Sequence, residues 1–209
     1  MKISYGITVC NEFEEIQRLI AFLLEHKRPV DEIVVLYDRA NGDPAVNEFL
    51  LTHSNKGDII YHTSEFKGHF ADWKNELSSH CNGDYIFQID ADEMIDEYVC
   101  RLLPQVLTSN QIDVIRVPRI NTVQGLTQEH IDKWYWRINE RGWVNFPDYQ
   151  WRIYKNIPEI TCQNKVHEEI TGHTTVAHLP ASVTQTEWCL LHNKTIDRQE
   201  KQNNFYSTI

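Results

Sequence analysis

Two aspartates two positions apart, Asp90 and Asp92, end the apolar run of GDYIFQIDADE at residues 83–93. A strand that delivers carboxylates at its C-terminal edge supplies hard oxygen ligands. Such ligands suit magnesium and manganese, which complete their shells with phosphate oxygens. A spacing of two also puts both carboxylates on one side of an extended chain. The pattern predicts a divalent cation beside a nucleoside diphosphate. Taken alone, Asp-x-Asp in a strand-end loop is also ordinary turn chemistry, and Glu93 reads equally well as a surface acid capping the next helix.

The elements around this segment predict how it is positioned. Residues 3–9 form an apolar strand, and Asn11 fits a helix cap with Glu14 three positions on, followed by Ile16, Leu19, Ile20 and Leu23 at helical spacing. Residues 33–37 are continuously apolar and end at Asp38, as in a strand covered on both faces. A helix over 43–51, a short strand at 59–61, and a helix with Phe70, Trp73, Leu77 and Cys81 on one face lead into a strand at 85–89. Strands and helices that alternate in this way make a doubly wound α/β sheet. In such sheets ligands bind beyond the carboxyl ends of the strands, where residues 10–12, Asp38 and residues 90–92 converge. The second half differs, with a helix at 95–107, a strand at 114–117 and eight aromatic residues between Trp134 and Tyr154.

Composition narrows the class. The chain has 209 residues, is 41% hydrophobic and 24% charged, and carries a formal charge of −10, which predicts one globular domain and opposes broad nucleic-acid binding. No window approaches the roughly 20 apolar residues of a membrane span, and the N-terminal apolar run is too short for a secretory signal. A cytoplasmic protein is expected. Its five cysteines (Cys10, Cys81, Cys100, Cys162, Cys189) are scattered without a CxxC pair, so free, mostly buried thiols are expected rather than disulfides or zinc.

The ordered set ITVCNE, EIVVLYD, FADWKNELSSHCNGDYIFQIDADE and KVHEE resembles the family-2 glycosyltransferases of the GT-A fold over most of the chain. The resemblance implies one GT-A domain over 1–209, a mostly parallel sheet flanked by helices. Residues 1–95 would bind the nucleotide sugar, and 96–209 would bind the acceptor and carry a C-terminal closing segment. It implies that Thr8, Asn11, Glu12 and Asp38 contact the nucleoside of a donor such as a UDP-sugar. Asp90 and Ala91 would lie beside the ribose or the water shell of Mn2+ or Mg2+, with Asp92 on the metal. Lys74 and Asn75 stand where the family usually has Arg-Asn near the diphosphate, which keeps a positive charge but loses the planar fork. For Asn11, helix capping remains the alternative to ligand contact.

The remaining roles follow from the chemistry the resemblance implies. Inverting transfer requires a base for the acceptor hydroxyl, which the His-Glu segment assigns to Glu168, with Asp148 in reserve. His167 would orient the base or line the acceptor site. Without the resemblance, Glu168 and Glu169 read as a solvated pair. His192, in competition with His178, would complete the metal shell, and Lys194, Arg198 and Lys201 would fold over the diphosphate. A histidine beside an apolar run also reads as a satisfied core residue.

The acceptor is less constrained. Arg137, Arg141 and Arg152 lie among the aromatic residues of 134–154, a mixture that suits an acceptor groove, although tryptophans also simply pack. PRINTVQGLTQEHI, NFPDYQWRIYKN and TIDRQEKQNNFYS are similar to short glycosyltransferases of tailed bacteriophages. That similarity implies action in the host cytoplasm on a hydroxymethylated pyrimidine in phage DNA or on a lipopolysaccharide core sugar. The −10 charge opposes DNA except through a local patch of Arg116, Arg119, Lys133, Arg137 and Arg141. Other function classes remain. A nucleotidyltransferase wants a basic, glycine-rich loop after its first strand, where VCNEFEE is acidic; an inactive nucleotide-sugar-binding module is the non-enzyme reading.

Overall fold

The computed structural model describes residues 1–206. Its first half alternates β1 (Ile3–Val9), α1 (Phe13–His26), β2 (Glu32–Asp38), α2 (Pro44–Lys56), β3 (Ile60–Ser64), α3 (Phe70–Ser79) and β4 (Tyr85–Asp90). The second half continues with β5 (Glu93–Met94), α4 (Glu97–Asn110), β6 (Val114–Gln124), α5 (Gln128–Trp134) and β7 (Val144–Lys155). Last come β8 (Thr161–Gln163), β9 (Glu169–Thr171), β10 (Val176–His178), β11 (Leu190–Thr195) and α6 (Ile196–Tyr206).

Among the described residues the main sheet runs β3-β2-β1-β4-β7-β6-β11-β5, with β10 also on β6, and β8-β9 form a separate ribbon. The neighbours within β3-β2-β1-β4 are parallel, while β7 is antiparallel to both β4 and β6. β11 returns parallel to β6 and β5 closes the order antiparallel to β11. The result is an α/β layer structure with a mostly parallel central sheet flanked by helices.

Side-chain alternation along the strands builds a core on each face. Ile33, Val35, Tyr37 and Phe87 join Leu19, Ile20 and Leu23 of α1 in one cluster, whereas Val34, Leu36 and Ile86 join Ala71, Trp73 and Leu77 of α3 in the other. The central strands are therefore buried on both sides, as their continuous apolar runs predict. The five cysteines are free, and all but the half-buried Cys10 are buried.

Several local expectations are corrected. Asn11 does not cap α1. The N-cap is Glu12, whose carboxylate turns back to accept the backbone N–H groups of Cys10 and Asn11 at 2.9 and 3.0 Å. That settles two donors at the end of β1 and leaves the Asn11 side chain out of the cap. Glu93 is no surface cap either: it is fully buried, and Asp96 caps α4 by accepting from the Tyr98 N–H at 2.8 Å. β6 extends to Gln124 because β11 pairs with it from Arg119 to Gln124, a tertiary ladder that the polar residues in that stretch conceal.

Candidate active site

Reversal of strand order opens the cleft. β1 has β2 on one side and β4 on the other, so the loops leaving their C-terminal ends part at this switch point. Thr8 is level with both Leu36 and Asp90 in the ladder, which brings the ends of three strands to one rim. The cleft there has a volume of about 1390 Å³. A single small-molecule site is typically about 300–1,000 Å³, so the space suits two substrates. Residues of both halves line it, including Thr8, Asn11, Glu12, Asp38, Asp90, Ala91 and Asp92 from the first, and Asp148, Glu168, His192, Lys194 and Arg198 from the second.

At the β1-β2 side the Asn11 amide faces the cleft with no hydrogen-bond partner among the described residues. Asp38 is buried, and its carboxylate accepts from the N–H of Ala40 (3.0 Å) and Phe66 (3.3 Å) and from the Asn41 amide (2.9 Å). Gly42 makes that turn possible, since a Cβ there would sit 2.3 Å from the Tyr37 ring and 2.4 Å from the Asp38 carbonyl.

At the β4 end the acids are held by a continuous set of polar contacts. Asp90 is clamped through both oxygens by the guanidinium of Arg152, which also donates to Glu93 at 2.7 Å. Arg119 bridges Glu93 (3.0 Å) and Asp148 (2.8 Å). Asp148 further accepts from the amides of Asn121 (2.8 Å) and Gln150 (2.7 Å). Because the Asn121 amide nitrogen faces Asp148, its oxygen faces His192 Nδ1 at 2.8 Å, and His192 Nε2 lies 3.1 Å from Asp92.

The charge states follow. Burial alone would raise the carboxyl pKa values, but Arg152, Lys74 and Arg119 hold Asp90 far below the usual range. Burial is outweighed at Asp148 by Arg119, Asn121 and Gln150, which hold it low. At Asp92 burial is outweighed by the His192 hydrogen bond and charge and by Arg198, which bring it down to about 2. With four donors on its carboxylate, Asp148 makes a weak base. Glu168 has one cation against it, the Lys74 ammonium at 2.8 Å.

A divalent cation fits Asp92 and His192. The Asn121 oxygen can only accept, so His192 donates Nδ1–H to it, and Nε2 is the ring atom that meets Asp92. With Nε2 protonated the two form a hydrogen bond; with Nε2 bare, its lone pair and the Asp92 carboxylate are neighbouring ligands for a cation. Among the described residues no group of three or more His, Cys, Asp or Glu side chains is placed to hold a metal. Protein ligands this few are typical where phosphate oxygens and water complete the shell.

The C-terminal helix covers this end. Arg198 of α6 contacts Glu15 at 2.9 Å, Glu12 at 3.2 Å and Asp92 at 3.3 Å, tying α6 to the start of α1 and to the acidic turn. Lys194 is half-buried in the cleft, and desolvation lowers its pKa. Tyr206 packs edge-on against Phe70, 5.7 Å between ring centres.

The model of the family described as "Glycosyl transferase family 2" matches residues 4–174. The chain belongs to that family. No curated protein sequence matches it. Among solved structures, S. aureus TarS (residues 1–349) in complex with UDP-GlcNAc aligns at TM-score 0.62 and 14% identity over 93% of this chain and 59% of that one. The same protein in complex with UDP aligns at TM-score 0.62 and 13% identity, over 100% of this chain and 65% of TarS. The fold is thus that of the GT-A glycosyltransferases, and the chain spans less than two thirds of the length of these structures. Among the described residues no helix is long and apolar enough to cross a membrane.

Other sequence expectations land elsewhere in this family 2 chain. Asn75 lies outside the cleft, its amide paired with both backbone groups of Cys162 at 3.0 and 2.8 Å; on a helix it points about 100° away from Lys74. His178 is exposed on β10 against Tyr149, 4.7 Å between ring centres. Arg152, read as part of an acceptor groove, is instead the buried partner of Asp90 and Glu93. The expected basic patch is broken, because Arg119 is ion-paired and Arg116 lies over Trp151, 4.8 Å from its ring centre, leaving Lys133, Arg137 and Arg141 exposed. Trp134, Tyr135 and Trp136 line the rim of the cleft. The Glu93-Arg119-Arg152 cluster had one weak sequence signal, arginines set within the short apolar stretches IRVPRI and WRIY.

Proposed function

We propose that the chain is an inverting glycosyltransferase that moves a sugar from a nucleoside diphosphate sugar, with a UDP-sugar as donor, to a hydroxyl acceptor. One observation carries the reading: the free Asn11 amide, Asp38, the Asp90–Asp92 turn, His192 and Glu168 converge on a cleft at the strand switch point. The bound nucleotides of TarS, which shares the fold, support UDP as the carrier. Thr8, Asn11, Glu12 and Asp38 hold the nucleoside, and Asp90 and Ala91 the ribose. Residues 1–95 serve the nucleotide sugar, and 96–209 serve the acceptor and carry the C-terminal segment that closes on the diphosphate.

Asp92 and His192 hold Mn2+ or Mg2+, which when bound stabilises charge on the departing diphosphate. Lys74, Lys194 and Arg198 bring further positive charge to that leaving group. Glu168 accepts the acceptor hydroxyl proton as its oxygen attacks the anomeric carbon from the face opposite the diphosphate. In the free protein Lys74 occupies Glu168; a donor diphosphate competes for that ammonium and leaves the carboxylate able to take the proton. The free thiols support a reducing, cytoplasmic setting.

The acceptor stacks on the aromatic rim of Trp134, Tyr135 and Trp136, which suits a saccharide ring. The exposed Lys133, Arg137 and Arg141 beside it favour, as a second reading, a hydroxymethylated pyrimidine in DNA of the kind tailed phages carry. Binding of a hydroxymethylated duplex that weakens steeply with salt supports DNA, and binding of oligosaccharides alone rejects it. The main test is turnover of UDP-sugars with manganese present and absent. Asp92→Asn should lower turnover by about 10²–10³-fold, and Glu168→Gln should abolish transfer while UDP binding is kept or tightened, because Lys74 is freed for the diphosphate. Full activity in either variant removes that residue from the mechanism.

A further inference from the structure

The Asp90–Asp92 turn does not hold itself in shape. Glu93, the next residue, is fully buried, yet its carboxylate collects three donors: the backbone N–H of Asp90 at 3.1 Å, Arg119 at 3.0 Å and Arg152 at 2.7 Å. The first contact closes a loop from the side chain back across the turn to the start of the acidic motif. The second and third aim the guanidinium groups, one gripping Asp90 and the other Asp148. In the β5-β11 pairing Glu93 stands opposite His192, so the same residue also fixes the strand that presents the imidazole. The polar contacts run from Asp90 through Arg152, Glu93, Arg119, Asp148, Asn121 and His192 to Asp92, and the ring closes through Ala91.

We propose that Glu93 is a positioning residue for the donor site: acting through Arg152 and the Asp90 backbone, it sets the Asp90 carboxylate and the Asp90–Asp92 turn in the geometry that receives the nucleotide. This rests on the reading of the cleft as a nucleotide-sugar site. Glu93 lies too deep to touch substrate, so its influence passes through its neighbours. A buried carboxylate is unfavourable unless it is fully paired, and an apolar replacement of such a cluster is often at least as stable. What the ionic arrangement adds is direction. Two bidentate-capable guanidinium groups are locked to one anion, and each is left with one face for a cleft acid.

The test is a double-mutant cycle read by calorimetric titration of UDP with Mn2+. Asp90→Asn and Glu93→Gln should each weaken UDP binding at least fivefold, and the double variant should bind within twofold of Asp90→Asn, because Glu93 acts through a residue already lost. Multiplying effects, or UDP affinity in Glu93→Gln within twofold of the parent, overturns the inference while leaving the functional reading intact. UDP affinity unchanged in Asp90→Asn instead overturns the assignment of Asp90 to the donor. Should Glu93→Gln fail to fold, Arg152→Lys replaces it in the same cycle. It keeps the charge but loses the two-pronged grip, and the same non-multiplying loss is expected; multiplying effects again overturn the inference.

Discussion

Tyr135 is 91% exposed, yet it holds a left-handed backbone (φ 54°) as the C-cap of α5. Glycine adopts that conformation freely, whereas a side chain with a Cβ costs on the order of 1 kcal/mol there. No burial offsets the strain, which is a reason to give the ring work at the rim of the cleft. Tyr135→Gly should therefore raise stability by about 0.5–1 kcal/mol, roughly 2–3 °C in melting temperature for a chain of this size, while raising KM for the acceptor. A lower melting temperature would show that the ring is structural. At the other acid, Asp148 accepts from Arg119, Asn121 and Gln150. Asp148→Asn should destabilise the protein by about 2–4 kcal/mol in chemical denaturation by leaving Arg119 half-paired, a larger loss than Glu168→Gln at its single lysine.

α6 illustrates how an element with little core of its own is held. No residue of α6 is buried; it is tied by the Arg198 pairs with Glu12, Glu15 and Asp92, in which Arg198 is 32% exposed, and by Phe205 and Tyr206, whose rings pack against Phe66 and Phe70. Partly exposed pairs of this kind contribute about 0–1 kcal/mol each, so the helix opens far more readily than the central strands. Hydrogen exchange should show its amides exchanging faster than those of β4, slowing when UDP and Mn2+ bind and Lys194 and Arg198 close on the diphosphate. Arg198→Ala should speed exchange in α6 and weaken UDP; protection of α6 that ignores UDP would separate the helix from the donor site. α3 shows the opposite economy. Lys74 faces the cleft while Asn75 ties the helix to β8, so neighbouring positions serve site and scaffold.

For the molecule as a whole, the acidic ring shares the pH response with Asp113 and Glu32, whose carboxyls are also held below the usual range. Asp90, Asp92 and Asp148 all have pKa values below those of free side chains. A depressed carboxyl stabilises the fold above its unfolded value and loses that contribution as pH falls through the folded one. Asp92, moved from 3.8 to about 2, should contribute about 2 kcal/mol that disappears between roughly pH 4 and pH 2. Denaturation followed across that window should show a steep loss that is blunted in Asp92→Asn. The same ring marks how far the sequence could be read. Apolar runs at 33–37 and 85–89 and helical spacing in α1 dictated the doubly wound half, because burial on both faces leaves a local signature. So did the strand-end acids, since the chain turns where its apolar run stops. Local signals erred at Asn11, where free N–H groups at the end of β1 recruited Glu12, at Glu93, read as a surface cap, and at Arg152, read as part of an acceptor groove. Glu93 and Arg152 lie 59 residues apart in the chain. A buried charge is tolerable only once its counter-charge arrives from another strand, and only the packed sheet brings β4, β6, β7 and β11 together.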